Sequence, residues 1–177
     1  TMLSGETAIG KFPEKSVKKM KEVSLVSSLH IRRKQISKNR NLNKSLIKND
    51  MAQAVAHLCK NIPITKVVAI TKSGFAARSL SLLHISQPII AVSDNLKNAR
   101  TFNLFPGTHG IFLDIAFKKK NTDHIILCLE RLWRNKILNI KDIVVVIGLS
   151  YPKSGNRFNH IQLHSINDLV DIFNWKK

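Results

Sequence analysis

Thr71, Lys72, Ser73 and Gly74 put two hydroxyls, an ammonium and a glycine in one unbroken run. The run stands between the apolar stretch Val67–Ile70 and a helical pattern that opens at Phe75. A helix start leaves its first N–H groups without intrahelical partners and carries the positive end of the dipole, so it favours an anion. The dipole contributes only about 0.3–1 kcal/mol, but hydroxyl, ammonium and backbone donors converge on one spot. The chemistry this predicts is recognition of a phosphate, and capping of the helix by Thr71 and Ser73 is a compatible role. Arg78, one turn further on, either reaches back to the same anion or pairs at the surface.

A second run, Lys153, Ser154, Gly155, Asn156 and Arg157, precedes the last strand pattern. Its glycine permits a sharp turn, and its two cations have the reach to hold a phosphate. Near the start, Ser4, Gly5, Glu6 and Thr7 form a polar cluster between the apolar pair Met2, Leu3 and a helix entered through Pro13. Such a cluster suits a functional strand-to-helix loop, or side chains that hydrogen-bond their own turn. A three-residue strand does not hold itself in a sheet. The chain also opens on Thr1, and both features read as the back part of something longer.

The other reactive side chains do not assemble into sites. The seven histidines show no metal-ligand spacing and no paired carboxylates, so scattered structural roles are the default. His124 differs only in opening a helix near the anion-binding end. Gly107 and Gly110 mark a turn, too short for a dinucleotide loop. Cys59 and Cys128 lie far apart in apolar helical contexts and read as buried, reduced thiols of a cytosolic protein. No apolar run approaches the roughly 18 residues of a membrane span, and no signal-peptide pattern opens the chain.

The elements that would position these residues follow from periodicity. Pro13 to about His30 reads as a helix with Val17, Met20, Val23, Leu25 and Val26 on a broad apolar stripe. Residues 31–48 turn basic and Asn-rich and read as a linker. A capping-box-like Asp50 and Gln53 then open a helix that stops before Pro63. Strand patterns at Val67–Ile70, Ile89–Val92, Ile111–Leu113 and Ile143–Ile147 alternate with helical patterns at Phe75–His84, Leu96–Phe105 and Asp123–Lys136. This predicts an α/β three-layer sandwich, a mostly parallel sheet with helices on both faces. His160–His164 alternates polar with apolar and follows its neighbour through a loop without a helix, so it reads as an antiparallel fifth strand at an edge. Leu169, Val170, Ile172, Phe173 and Trp175 suit a short docked helix in the tail.

The formal charge of +18 raises a nucleic-acid reading. Lys, Asn and Ile are abundant throughout, as coding bias produces, and aromatic side chains do not interleave with the basic ones as stacking platforms would. The dense run Arg32, Arg33, Lys34, Lys38, Arg40, Lys44 and Lys48 reads as a solvated linker face. Charge alone predicts non-specific, salt-sensitive binding to nucleic acid.

The segment Met2-Leu3-Ser4-Gly5-Glu6-Thr7-Ala8, with Gly10, Phe12 and Pro13, resembles the segment that closes the catalytic barrel of pyruvate kinases. The resemblance continues through Val67–Gly74, Ala77–Ser81 and Gln87–Val92, fades after about residue 112 and returns at Asp142–Val146. It implies four parts. Residues 1–30 would be a remnant of a TIM barrel's last strand and helix, and 31–48 a linker. Residues 49–166 would be the family's C-terminal α/β domain, with its five-stranded layout, and 167–177 an added helix or tail.

The resemblance also implies a function. In the family the first loop cradles a phosphate of an allosteric effector, and this carries over to Thr71, Lys72, Ser73 and Gly74. The second loop folds over the effector, which carries over to Lys153, Ser154, Gly155 and Arg157. Here that loop is about one residue longer than the family's Gly-x-Thr-Asn, placing Asn159 on the family's Asn. Phe75 and Ala76 replace polar or hydroxyl residues, which argues for a monophosphate over a bisphosphate. Ser4 and Glu6 would line the barrel mouth and support substrate. The residues that transfer a phosphoryl group between phosphoenolpyruvate and ADP, and those that hold magnesium and potassium, lie on earlier barrel strands in the family. These 177 residues alone are therefore expected to be inactive. The implied setting is a cytoplasmic homotetramer that joins this segment to the rest of the barrel. Two alternatives stay open: a stand-alone α/β phosphometabolite-binding module, and a basic nucleic-acid binder.

Overall fold

Val67, Val68, Ala69 and Ile70 are apolar at every position, which suits a strand covered on both faces. The computed structural model describes residues 5–38, 50–117, 122–148 and 160–175. In it these four residues lie in β1 (Lys66–Ile70), followed by α4 (Phe75–Ser81), β2 (Ile89–Ser93), α5 (Leu96–Phe102) and β3 (Thr108–Phe112). Then come α6 (Asp123–Arg134), β4 (Ile143–Gly148), β5 (His160–Ser165) and α7 (Ile166–Ile172), while α3 (Asp50–Asn61) precedes β1. The sheet runs in the order β3-β2-β1-β4-β5. Its first four strands are parallel, and β5 is antiparallel to β4. The α/β class, the strand count and the antiparallel last strand all agree with the sequence.

Alternate side chains of each strand feed two cores. Val67, Ala69, Ile89, Ala91, Val145 and Ile147 pack with Val55 of α3, Ala77 and Leu80 of α4 and Phe102 of α5. Val68, Ile70, Val92, Val144 and Val146 pack on the other face with Ile125, Leu129 and Leu132 of α6 and Leu169 of α7. The tail helix docks as expected. Leu169 and Trp175 are buried, and the Trp175 ring lies 5.9 Å from that of Trp133. Ile172 and Phe173, expected to share the docked face, are exposed.

Several boundaries differ from the sequence reading. β3 begins at Thr108, three residues before the apolar run, because an edge strand keeps its hydrogen bonds without an apolar side chain at every position. Gly110 lies so close to the Ala99 carbonyl that a Cβ there would collide with it, and this brings α5 against β3. The helices read to His84, Phe105 and Lys136 end at Ser81, Phe102 and Arg134. Tightened turns follow, with His84 and Lys136 at positive φ (47° and 58°). Asp50 is the first residue of α3 and lies inside the helix the sequence has it cap.

The chain divides into two compact units, Thr1–Lys44 and Ser45–Lys177. In the first, a one-turn helix α1 (Gly5–Ala8) occupies the polar cluster read as a turn, and α2 spans Pro13–Lys38. The sequence ends this second helix near His30. Residues 31–38 lose apolar periodicity, but they contain no Gly or Pro and are rich in good helix formers, so the stripe ends and the helix does not. Val17, Val23, Leu25 and Val26, the expected buried stripe, are exposed.

Candidate anion-binding site

The strand order reverses at β1. Its successor β2 lies on one side, and β4, much later in the chain, lies on the other. Open α/β sheets bind ligands beyond the carboxyl ends of their strands at such a switch point. Thr71, Lys72, Ser73 and Gly74 leave β1 at that place. Gly148 ends β4 on the far side, where a Cβ added to it would lie 4.0 Å from the Ile70 carbonyl oxygen.

The loop is held by its own backbone. Thr71 donates its N–H to the Val92 carbonyl at 2.9 Å, extending the β1–β2 ladder by one bond. The Gly74 N–H donates to Thr71 Oγ1 at 3.0 Å, so Thr71 closes the turn before the helix and does not cap it as the sequence reading had it. Gly74 adopts φ 80°, a left-handed conformation that glycine enters without steric cost. A Cβ there would also sit 2.5 Å from Phe102 Cε1. Conformation and space therefore both require glycine at this position. Ser73 is exposed, and no side chain of the loop caps α4.

Lys72 is not free. Its Nζ lies 3.0 Å from Asp94 Oδ2, just past the end of β2. Asn98 Nδ2 donates to the Lys72 carbonyl at 2.8 Å, while the Asn95 side chain accepts from the Asn98 N–H and so caps α5. Asp94 and Asn98 are absent from the residues chosen on sequence. In the parallel register the residue two beyond Val92 lies opposite the residue two beyond Ile70, which is how Asp94 comes to face Lys72. Asp94 also adds to the effect of burial on Cys128, whose thiol is pushed up to about 12. Burial alone pushes Cys59 up to about 11. Both cysteines are free and buried.

The remaining expected site residues scatter. Arg78 is exposed on α4. Lys153, Ser154, Gly155, Arg157 and Asn159 lie outside the described residues, as does Ser4. Glu6 is exposed on α1. His124 is buried near the start of α6, its ring 5.3 Å from that of Phe117. A surface hollow of about 490 Å³ lies away from this loop, beside the last turn of α6 and the turn into β4. Trp133, Lys136 and Ile140 are among its lining residues.

The opposite end of the sheet carries a second cluster of charge. Lys66 Nζ donates to Asp142 Oδ2 at 2.7 Å and to the Ile137 carbonyl at 2.8 Å. Asp142 also accepts from Thr65 Oγ1 at 2.8 Å and from the Asn139 N–H at 2.7 Å. Burial by itself would raise the Asp142 pKa. The Asn139 N–H, the Lys66 and Thr65 hydrogen bonds and the Lys66 charge outweigh it and hold the carboxyl below its ordinary value. Every polar atom in this cluster is committed to the fold.

Residues 49–164 match the family described as pyruvate kinase, alpha/beta domain. Among curated proteins, a pyruvate kinase of Staphylococcus saprophyticus is 30% identical over 170 residues, covering 94% of this chain and 28% of the relative. One of Staphylococcus epidermidis is 28% identical over 172 residues, covering 96% and 29%. One of Staphylococcus aureus is 27% identical over 172 residues, again covering 96% and 29%. The chain thus spans less than a third of the length of these relatives, and the family's defining α/β match falls on the unit that holds the Thr71–Gly74 loop. On this match the chain belongs to the pyruvate kinase family, whose alpha/beta domain it carries.

Proposed function

We propose that this chain is the regulatory and subunit-contact portion of a pyruvate kinase, and that it binds a phosphomonoester effector at Thr71–Gly74. The observation that carries the reading is the position of that loop at the carboxyl end of β1, where the strand order reverses. A phosphate there would meet the Ser73 hydroxyl, the Lys72 ammonium and the first N–H groups of α4. Phe75 and Ala76 contribute no donor from their side chains, so the site suits one phosphate group better than two. In the intact enzyme, binding would bias phosphoryl transfer from phosphoenolpyruvate to ADP, a coupling typically worth about 1–3 kcal/mol. The homologous relatives are several times longer, and the exposed apolar side chains of α2 fit a helix that packs against the rest of a barrel.

Magnesium and potassium belong to the intact enzyme in this reading. Among the described residues no group of three His, Cys, Asp or Glu is arranged to hold a metal ion, so no step is assigned to either ion here. Likewise no described helix is long and apolar enough to cross a membrane. A cytoplasmic tetramer in contact with its own barrel remains the proposed setting, with nucleic acid bound only non-specifically through charge.

Titration calorimetry with glucose 6-phosphate, comparing the unaltered chain with Thr71→Ala and Ser73→Ala, tests the site. The expected result is saturable binding that weakens in both variants. Equal binding by all three would remove the site from this loop.

A further inference from the structure

Three contacts draw the start of the Thr71–Gly74 loop toward β2, away from the crevice between β1 and β4. Thr71 N–H bonds to Val92 O, Asn98 Nδ2 bonds to Lys72 O, and Lys72 Nζ pairs with Asp94. The first two are backbone anchors that fix the loop. The third is a side-chain contact with one mobile partner, because the Lys72 side chain is 60% exposed and that of Asp94 only 19%. Asp94 is the better-held group, with Ser93 and Asn95 beside it knit into the cap of α5.

Resting on the phosphate reading above, we propose that Asp94 is a built-in competitor for Lys72, a carboxylate that an incoming phosphomonoester must displace before the ammonium can serve the site. Both bonds to the ammonium are charge-assisted, and a phosphomonoester brings close to two negative charges where the carboxylate brings one, so the exchange is favourable for a phosphate. Asp94 therefore sets affinity. It weakens phosphate binding by the strength of the pair that must be given up. Because Lys72 is largely exposed, the pair is easily opened, and the site is throttled without being closed.

The mechanism predicts that Asp94 acts through Lys72, and a double-mutant cycle reads this directly. Glucose 6-phosphate is titrated at constant ionic strength into the unaltered chain, Asp94→Asn, Lys72→Met and the double variant. Asp94→Asn is expected to tighten binding about 5-fold, the upper range for releasing an exposed ion pair. In the Lys72→Met background the same change is expected to have under about a 2-fold effect, since no pair remains to release. If the unaltered chain binds and Asp94→Asn changes nothing, the competitor role is overturned while the phosphate site stands. An equal gain in both backgrounds would also overturn it, because bulk repulsion would then explain the effect. Failure of every variant to bind a phosphomonoester overturns the site and this role together.

Discussion

The two ends of the sheet each carry a Lys–Asp pair between β1 and a neighbouring strand, and the pairs behave differently. At the amino end Lys66 and Asp142 stand 2.7 Å apart with side chains only 19% and 10% exposed, and Thr65, Asn139 and Ile137 satisfy what remains. At the carboxyl end Lys72 and Asp94 stand 3.0 Å apart with Lys72 largely in solvent. The residue types and geometry are alike, and the environment separates them. A largely buried pair whose carboxylate oxygens are both taken leaves little capacity for a ligand, while an exposed one can exchange partners. The first fastens β1 to β4, and the second stands where the strand order leaves a crevice.

The comparison breaks most visibly at the amino end. Asp142→Ala leaves the Asn139 N–H without its acceptor and Lys66 Nζ and Thr65 Oγ1 with only the Ile137 and Ile143 carbonyls, and is expected to cost about 3 kcal/mol, read from urea unfolding. A loss below about 1 kcal/mol would mean that water replaces the carboxylate and that this end is more open than its geometry indicates. Gly74→Ala follows, with an expected loss of about 1–3 kcal/mol from the left-handed φ and the contact with Phe102. Phe102→Leu in the same background should recover part of it if the contact matters.

The pH response separates the buried groups from the exposed ones. Asp142 titrates below its ordinary value, so its contribution is present above about pH 4, the unfolded carboxylate range, and is lost as pH falls further. His160 and His164 lie on one face of β5, and both have lowered values. Burial is the main cause for each, partly offset at His160 by its bond to Gln162 and reinforced at His164 by the charge of His160. As pH drops below about 6.5 the unfolded chain takes up these protons first, so stability declines there before the carboxylate step begins. Thermal unfolding from pH 8 to pH 3 should therefore fall in two stages, and His164→Gln should reduce the first stage only. The smallest effect belongs to the exposed pair. Lys72→Met should change stability by less than about 1 kcal/mol, even though it should alter anion binding.

What the sequence revealed follows the same division. β1, β2 and β4 are apolar at nearly every position because both their faces are covered, and they were legible as runs. β3 and α2 were misjudged at their ends, since an edge strand and a solvent-facing helix do not need apolar side chains to persist. Thr71–Gly74 was legible because its residue types are contiguous. Asp94 and Asn98 were not chosen because their role depends on which strand lies beside β1. Lys66 and Asp142 are 76 residues apart, and no local pattern joins them. The run from Lys153 to Arg157 lies outside the described residues, and its part in the site rests on its residue types and the family resemblance.

The central claim is that ligand chemistry sits at the carboxyl end of this sheet and structural charge at the amino end. Amide chemical shifts measured while glucose 6-phosphate is added to an isotope-labelled chain test it most directly. The account predicts saturable shifts at Lys72, Ser73, Gly74 and Phe75, with Thr65, Lys66, Asn139 and Asp142 unmoved. Shifts centred on the second group, or none at the first under saturating phosphate ester, would contradict it.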